Sequence, residues 1–260
     1  MSDVVVTAPA ALVPLVGKVS VSDLRAALRA GWRDFCKAPL FGLFFSAVYV
    51  VGGLVLVAIG AGTFMWTLAI SLGFPLIAPF AAVGLYEVSR RIERGLPLNW
   101  GQVLGVVIAE KDRQIPWIGA IIIIYFLFWS FLAHMVFALF MGLSVMTNIT
   151  SSYEVFLTPN GLAMMGAEFI LGGIFAFILF TLTVVSLPLL LDREVDFVTA
   201  MLMSIQVVRV NFGVMLIWAA VVAVICVAAM VPGFLGLLVA LPVFGHATWH
   251  LYRKALVHQD

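Results

Sequence analysis

Residues 64–95 read FMWTLAISLGFPLIAPFAAVGLYEVSRRIERG, and this stretch decides the fold class. From Phe64 to Tyr86 there is no charged residue. About 20 apolar residues suffice for a helix to cross roughly 30 Å of hydrocarbon. The run then ends abruptly in Glu87, Arg90, Arg91, Glu93 and Arg94. This is the profile of a transmembrane helix emerging at a basic surface.

Working outward, five more runs have the same character, near residues 40–60, 117–140, 162–187, 214–231 and 233–249. Pro232-Gly233 separates the last two and predicts a tight reversal between them. The composition agrees. Of 260 residues, 64% are hydrophobic and 10% charged, and the mean hydropathy is +1.17. Soluble domains carry about 25% charged residues, so a water-facing surface cannot be built from this chain. A net charge of +1 argues against a nucleic-acid partner. Cys36 and Cys226 are too far apart and too differently placed to suggest a disulfide framework.

The basic residues set the topology. Lys18, Arg25, Arg29, Arg33 and Lys37 precede the first run, and Arg90, Arg91, Arg94, Lys111 and Arg113 lie between the second and third. Arg193 and Arg209 separate the fourth and fifth, and Arg253 and Lys254 follow the sixth. These are all 14 basic residues, and every one falls on the same side of a six-span layout. The positive-inside rule then places both termini in the cytoplasm. Residues 1–17 read as a cytoplasmic tail without the positive start of a secretory signal. Residues 18–255 read as one integral membrane domain, and 256–260 as a second short tail.

The basic segments have helical stripes of their own. Leu24, Ala27, Leu28, Gly31 and Phe35 share one face of residues 19–37, with Arg25, Arg29 and Arg33 on another. Ser22 before Asp23 resembles the helix start, and Pro39 predicts its stop. Residues 197–211 repeat the form, with Phe197, Met201, Ile205 and Val208 on one face and Gln206 and Arg209 on another. Trp100, Val103, Leu104 and Val107 mark a shorter case. Basic amphipathic helices of this kind lie in the membrane interface. Each precedes a pair of spans, so the expected fold is an all-α membrane bundle of six helices. Its plan is three parallel repeats of an interfacial helix plus a hairpin. Pairing Asp23 with Asp196, and Pro79 with Pro242, aligns the units.

Three blocks are recognisable: residues 79–95 (PFAAVGLYEVSRRIERG), residues 242–253 (PVFGHATWHLYR), and Ser204 with Asn211, Met215 and Trp218. Together they resemble the signatures of an uncharacterised bacterial membrane family, domain of unknown function 2189. The resemblance runs from about Val19 to Arg253. It implies a bacterial inner-membrane protein with several spans and implies no reaction. Some members carry respiratory-oxidase labels, but this chain lacks the many intramembrane histidines such a subunit needs.

Ionisable groups within spans are costly and are functional candidates for that reason. His246 and His250 are four residues apart and share a helical face. With Glu87 as a third ligand they could hold a metal or haem. The plainer reading is a structural polar cluster at the cytoplasmic side, formed by Glu87, Arg90, Arg91, His246, His250, Tyr252 and Arg253. His134 lies roughly 25 Å from Trp117, and Glu168 roughly 28 Å from Leu187. They therefore form a candidate intramembrane pair at matching depth near the outer interface. Pro75, Pro79, Pro188 and Pro242 fall in the cytoplasmic halves of even-numbered spans, where proline kinks a helix. They would shape packing or open a vestibule. Asn148-Ile-Thr150 matches a glycosylation sequon and reads as loop composition.

No nucleotide loop, nucleophilic triad or zinc helix is present, so no catalytic residue is expected and no cofactor is required. Arg25, Arg29, Arg33 and Arg209 are the candidate contacts for anionic lipid headgroups. The reading is a non-enzymatic membrane scaffold, lipid-binding or complex-associated protein. A small-solute transporter using the His/Glu pairs is one alternative. A haem or metal protein through His246 and His250 is another.

Overall fold

The computed structural model describes residues 15–58, 64–142 and 156–257. The sequon at 148–150, most of the N-terminal tail and residues 258–260 lie outside this set. The described chain is helical apart from one short ladder. Leu15–Val16 (β1) pairs antiparallel with Leu256–Val257 (β2), in the register Leu15 to Val257 and Val16 to Leu256. The two segments read as tails thus meet where they join the membrane domain.

Helix α1 (Val21–Lys37) starts two residues earlier than Ser22 suggests. Ser20 is the N-cap: its hydroxyl accepts from the Asp23 N–H, and the Asp23 carboxylate accepts from the Ser20 N–H. Two otherwise unpaired backbone donors are satisfied in this capping box. At the other end Pro39 cannot continue the ladder. The chain turns 102° at Ala38 into α2 (Pro39–Ala58). An amphipathic helix lying across the entry to an apolar one is what the stripes of residues 19–37 predict.

Helix α3 (Phe64–Glu93) carries the stretch first quoted and contains Pro75 and Pro79. Around Val83–Ser89 it is buried on every side. Then follow α4 (Trp100–Ala109), the 3-10 turn Glu110–Asp112, α5 (Ile115–Met141), α6 (Pro159–Thr183) and the short α7 (Ser186–Asp192). Helices α8 (Phe197–Val210), α9 (Phe212–Met230) and α10 (Leu237–Ala255) complete the fold. Where a reversal is expected, α9 and α10 are separate helices joined by a turn in which Gly233 and Phe234 take φ of 62° and 65°.

Among the described residues, three segments are long and apolar enough to cross a membrane: Ile115–Met141, Pro159–Asp192 and Phe212–Met230. The bent pair Val21–Lys37 and Pro39–Val55 makes a fourth only when read as one broken span. Their outward faces are apolar, with Phe131 67%, Val224 68% and Val227 65% exposed. Surface of that kind belongs against lipid rather than water.

Two local devices hold the bundle. The first is the α1–α10 crossing. A Cβ built on Gly31 would lie 2.5 Å from the Val243 carbonyl oxygen and 2.7 Å from the Ala247 nitrogen. Only glycine allows that approach. The second concerns proline. Within the Pro159–Asp192 segment, Pro188 lies in the first turn of α7, just after a break at Val184–Val185. An uninterrupted helix would bond the Val185 N–H to the Thr181 carbonyl. Here the Ser204 hydroxyl sits between them, accepting from Val185 N at 3.1 Å and donating to Thr181 O at 2.7 Å. Pro242, inside α10, deprives the Leu238 carbonyl of its helical donor, and Ser46 Oγ approaches that oxygen at 3.4 Å.

Candidate functional site: a buried polar layer at the basic end

The basic segments converge at one end of the bundle. Arg94 reaches Asp192 at 2.9 Å, Arg113 reaches Glu194 at 3.3 Å, Arg253 reaches Asp192 at 3.4 Å, and Lys254 reaches Asp23 at 3.6 Å. Segments far apart in sequence therefore form one layer, as their shared charge implied.

Within the layer, the residues grouped by sequence fall into three linked sets. In the first, Glu87 is fully buried. Arg90 Nε donates to one of its oxygens and Arg91 Nε to the other, each at 2.7 Å. Arg91 continues to Gln102 Oε1 at 2.7 Å and the Pro97 carbonyl at 3.0 Å, and Arg90 approaches the Leu191 carbonyl at 3.4 Å. Charge-assisted bonds on both oxygens offset the cost of burying the carboxylate. The set clamps α3 to α4 and α7.

The second set surrounds Asp192. It accepts from Arg94, from Arg253 and from the Tyr252 hydroxyl at 2.9 Å. Burial, with the Asp192 charge beside it, pushes the Tyr252 phenol well above its ordinary range. Glu93 accepts from Trp249 Nε1 at 2.8 Å and from Arg253 Nε at 3.2 Å. This set joins the ends of α3, α7 and α10.

The third set holds the two histidines, but around Asp34 rather than Glu87. His250 Nε2 lies 2.7 Å from Asp34 Oδ2 and Ser89 Oγ 3.0 Å from the same oxygen. Ser89 Oγ also lies 2.8 Å from His246 Nδ1. If Ser89 donates to Asp34, Nδ1 of His246 carries the proton and Nε2 does not. That Nε2 is buried and has no hydrogen-bond partner among the described residues. Burial alone would raise the Asp34 carboxyl, but the hydrogen bond and charge of His250, with the Ser89 hydroxyl, hold it below its ordinary value. The set ties α1 and α3 to α10.

Glu87 is thus committed to its arginines. Among the described residues no three His, Cys, Asp or Glu side chains are grouped so as to hold a metal ion. Glu110 belongs to the layer's edge. Arg113 Nη1 donates to its Oε1 at 2.9 Å, while Oε2 is buried without a partner among the described residues. Burial raises its carboxyl despite Arg113.

His134 and Glu168 stand apart from this layer. They are close enough to interact electrostatically, but no ion pair or hydrogen bond joins them. His134 is exposed on α5, with Nδ1 2.6 Å from the Ser130 carbonyl of its own helix.

Sequence reasoning missed Asp34, Ser89, Glu93 and Asp192. Asp34 had a signal: it continues the buried series Leu24, Ala27, Gly31 at helical spacing. Asp192 closes the apolar run Leu187–Leu191. Asn211, noted in the third block, is a junction. Its side chain accepts from the Val19 N–H at 2.7 Å and donates to the Gly17 carbonyl at 3.0 Å.

Residues 67–192 match a family model described as predicted integral membrane protein, DUF2189. That stretch is similar to the DUF2189 family. It holds Glu87, Ser89, Glu93, Glu110 and Asp192, and with them most of the polar layer. Asp34 and the α10 residues 242–253 lie outside the matched range. No curated protein and no solved structure matches the chain.

Proposed function

We propose that this is a non-enzymatic bacterial inner-membrane protein whose basic rim binds anionic lipid headgroups and so organises lipid or a membrane-protein complex. It crosses six times, with both termini cytoplasmic and three parallel units. The supports for six crossings are the apolar runs at 39–58 and 64–86, the 102° entry bend and the reversal at Gly233–Phe234. The helix starts refine the repeat. Helices α1 and α8 begin at Val21 and Phe197, so Asp23 sits in the first turn while Asp196 is an N-cap. Pairing the units by their helix starts instead matches Ser20 with Asp196, about one turn from the Asp23–Asp196 pairing.

One observation carries the lipid reading. The layer's buried carboxylates are engaged by Arg90, Arg91, Arg94, Arg113, Arg253 and His250. Arg25, Arg29 and Arg33, at successive turns of the exposed face of α1, have no carboxylate within 4 Å among the described residues. Trp32 beside them is 53% exposed. Unpaired cations with an aromatic anchor on an interfacial helix suit a phosphate surface, at about 1 kcal/mol per basic residue.

Native mass spectrometry of the full chain, equilibrated with phosphatidylglycerol or phosphatidylcholine, tests this reading. Phosphatidylglycerol is retained preferentially, and the combined Arg25→Gln, Arg29→Gln, Arg33→Gln variant loses that preference. Equal retention of both lipids would overturn it. Thiol labelling of Cys36, which is exposed near the rim, checks the orientation: it is modified only from the cytoplasmic side.

A further inference from the structure

Resting on the rim reading, we infer that one phospholipid is held at a specific site on the outer face of α6, α8 and α9. Its anionic headgroup sits on Arg209 and Gln206, and one acyl chain runs in the groove between α6 and α9. The cation comes first. Arg209 is exposed in the last turn of α8 and has neither a carboxylate within 4 Å nor a hydrogen bond among the described residues. Gln206, one turn earlier, borders the same surface hollow. An unpaired arginine and an amide one helical turn apart offer several N–H donors to a phosphodiester.

The apolar half begins three residues further on. Phe212 opens α9 and packs edge-to-face on Phe177 of α6, with ring centres 5.7 Å apart. From there a groove of about 430 Å³ runs along α6 and α9, lined by Ile170, Gly173, Ile174, Phe177, Phe212 and Leu216. Its walls are apolar and open, with Ile170 64%, Ile174 52% and Phe212 55% exposed. A Cβ on Gly173 would meet nothing within 4 Å, so the wall is open at that point. Helix α6 ends at Thr183 by the basic layer, so the groove descends from the headgroup position towards the bilayer interior. Cation, amide and slot thus follow the order of phosphate and acyl chain in a phospholipid.

The test uses full-length protein, stripped of lipid in detergent and titrated with phosphatidylglycerol, with diacylglycerol of the same chains, and with soluble glycerol phosphate. Bound lipid is counted by native mass spectrometry. Phosphatidylglycerol occupies one tight site, and neither headgroup nor chains alone match it. Arg209→Gln weakens that site roughly fivefold. Gly173→Leu adds bulk at an exposed position where a Cβ meets no atom within 4 Å, and with Tm unchanged it weakens the same site by a similar factor. Unchanged binding in both variants overturns the site. If the α1 triple glutamine variant alone abolishes anionic-lipid retention, the rim reading stands and this site falls. If only Arg209→Gln and Gly173→Leu do so, the site stands and the α1 rim reading falls.

Discussion

His250 Nε2 lies 2.7 Å from Asp34 Oδ2, so a carboxylate near the end of α1 is bound to a residue 216 positions later in the chain. Asp34 is 1% exposed and also accepts from Ser89. Asp34→Ala leaves both partners without their acceptor and costs on the order of 3 kcal/mol. Thermal melting in detergent reads this as a large fall in Tm. His250→Gln costs less, because its side chain is 21% exposed.

The same carboxylate sets an acid limit. Its folded pKa lies below the ordinary value of 3.8. Its contribution is therefore fully present above that value and is lost as pH falls through the depressed folded pKa. Asp34→Asn should lower stability at neutral pH and flatten the decline below about pH 4. An identical acid limb in wild type and variant would show that Asp34 is not the titrating group.

Glu87 holds two arginines with its two oxygens. Glu87→Ala strands Arg90 and Arg91, which are only 19% and 12% exposed, and should cost about 3–5 kcal/mol. Limited proteolysis between α3 and α4 would rise in step, because Arg91 is the link to Pro97 and Gln102.

Ser204 and Pro188 form a coupled pair although they do not bond to each other. Ser204→Ala leaves the Val185 N–H and the Thr181 carbonyl without their bridge, a loss of about 1–3 kcal/mol. In a Pro188→Ala background the helix can close over the break, so Ser204→Ala costs less there. A double-mutant cycle measures the difference, and additive effects would refute the coupling.

Gly31→Leu places a side chain where the α10 backbone already stands, 2.5 Å from the Val243 carbonyl. The clash is with backbone and cannot be relieved by a rotamer change. The expected cost is at least about 3 kcal/mol, with α1 released to protease. Gly105→Ala, where a Cβ meets nothing within 4 Å, is the control and should leave Tm unchanged or slightly raised.

What the linear chain determined is a matter of solvent. Charge-free runs such as 115–141 and 212–230 form helices long and apolar enough to cross a membrane, because the bilayer offers no other partner for backbone groups. Of the 14 basic residues, Arg94, Arg253 and Lys254 from distant segments do meet at one end, through Asp192 and Asp23. Stripes of period 3.6 were enough to place α1, α4 and α8 within two residues of their ends. These signals are local: each rests on the composition or spacing of a few turns.

Only the tertiary structure decided which charges meet. From sequence alone, Glu87, Arg90, Arg91, His246 and His250 read as one polar cluster at one end of a bundle. Folding gave Glu87 to the neighbouring Arg90 and Arg91, and gave His250 to Asp34. That choice depends on α1 approaching α10 closely at Gly31, which no local pattern encodes. Likewise, Pro188 announced a broken helix, but the hydroxyl that heals the break comes from Ser204 on another element. Partner choice for a buried polar group is set by distances across the bundle, and those exist only once the helices have packed.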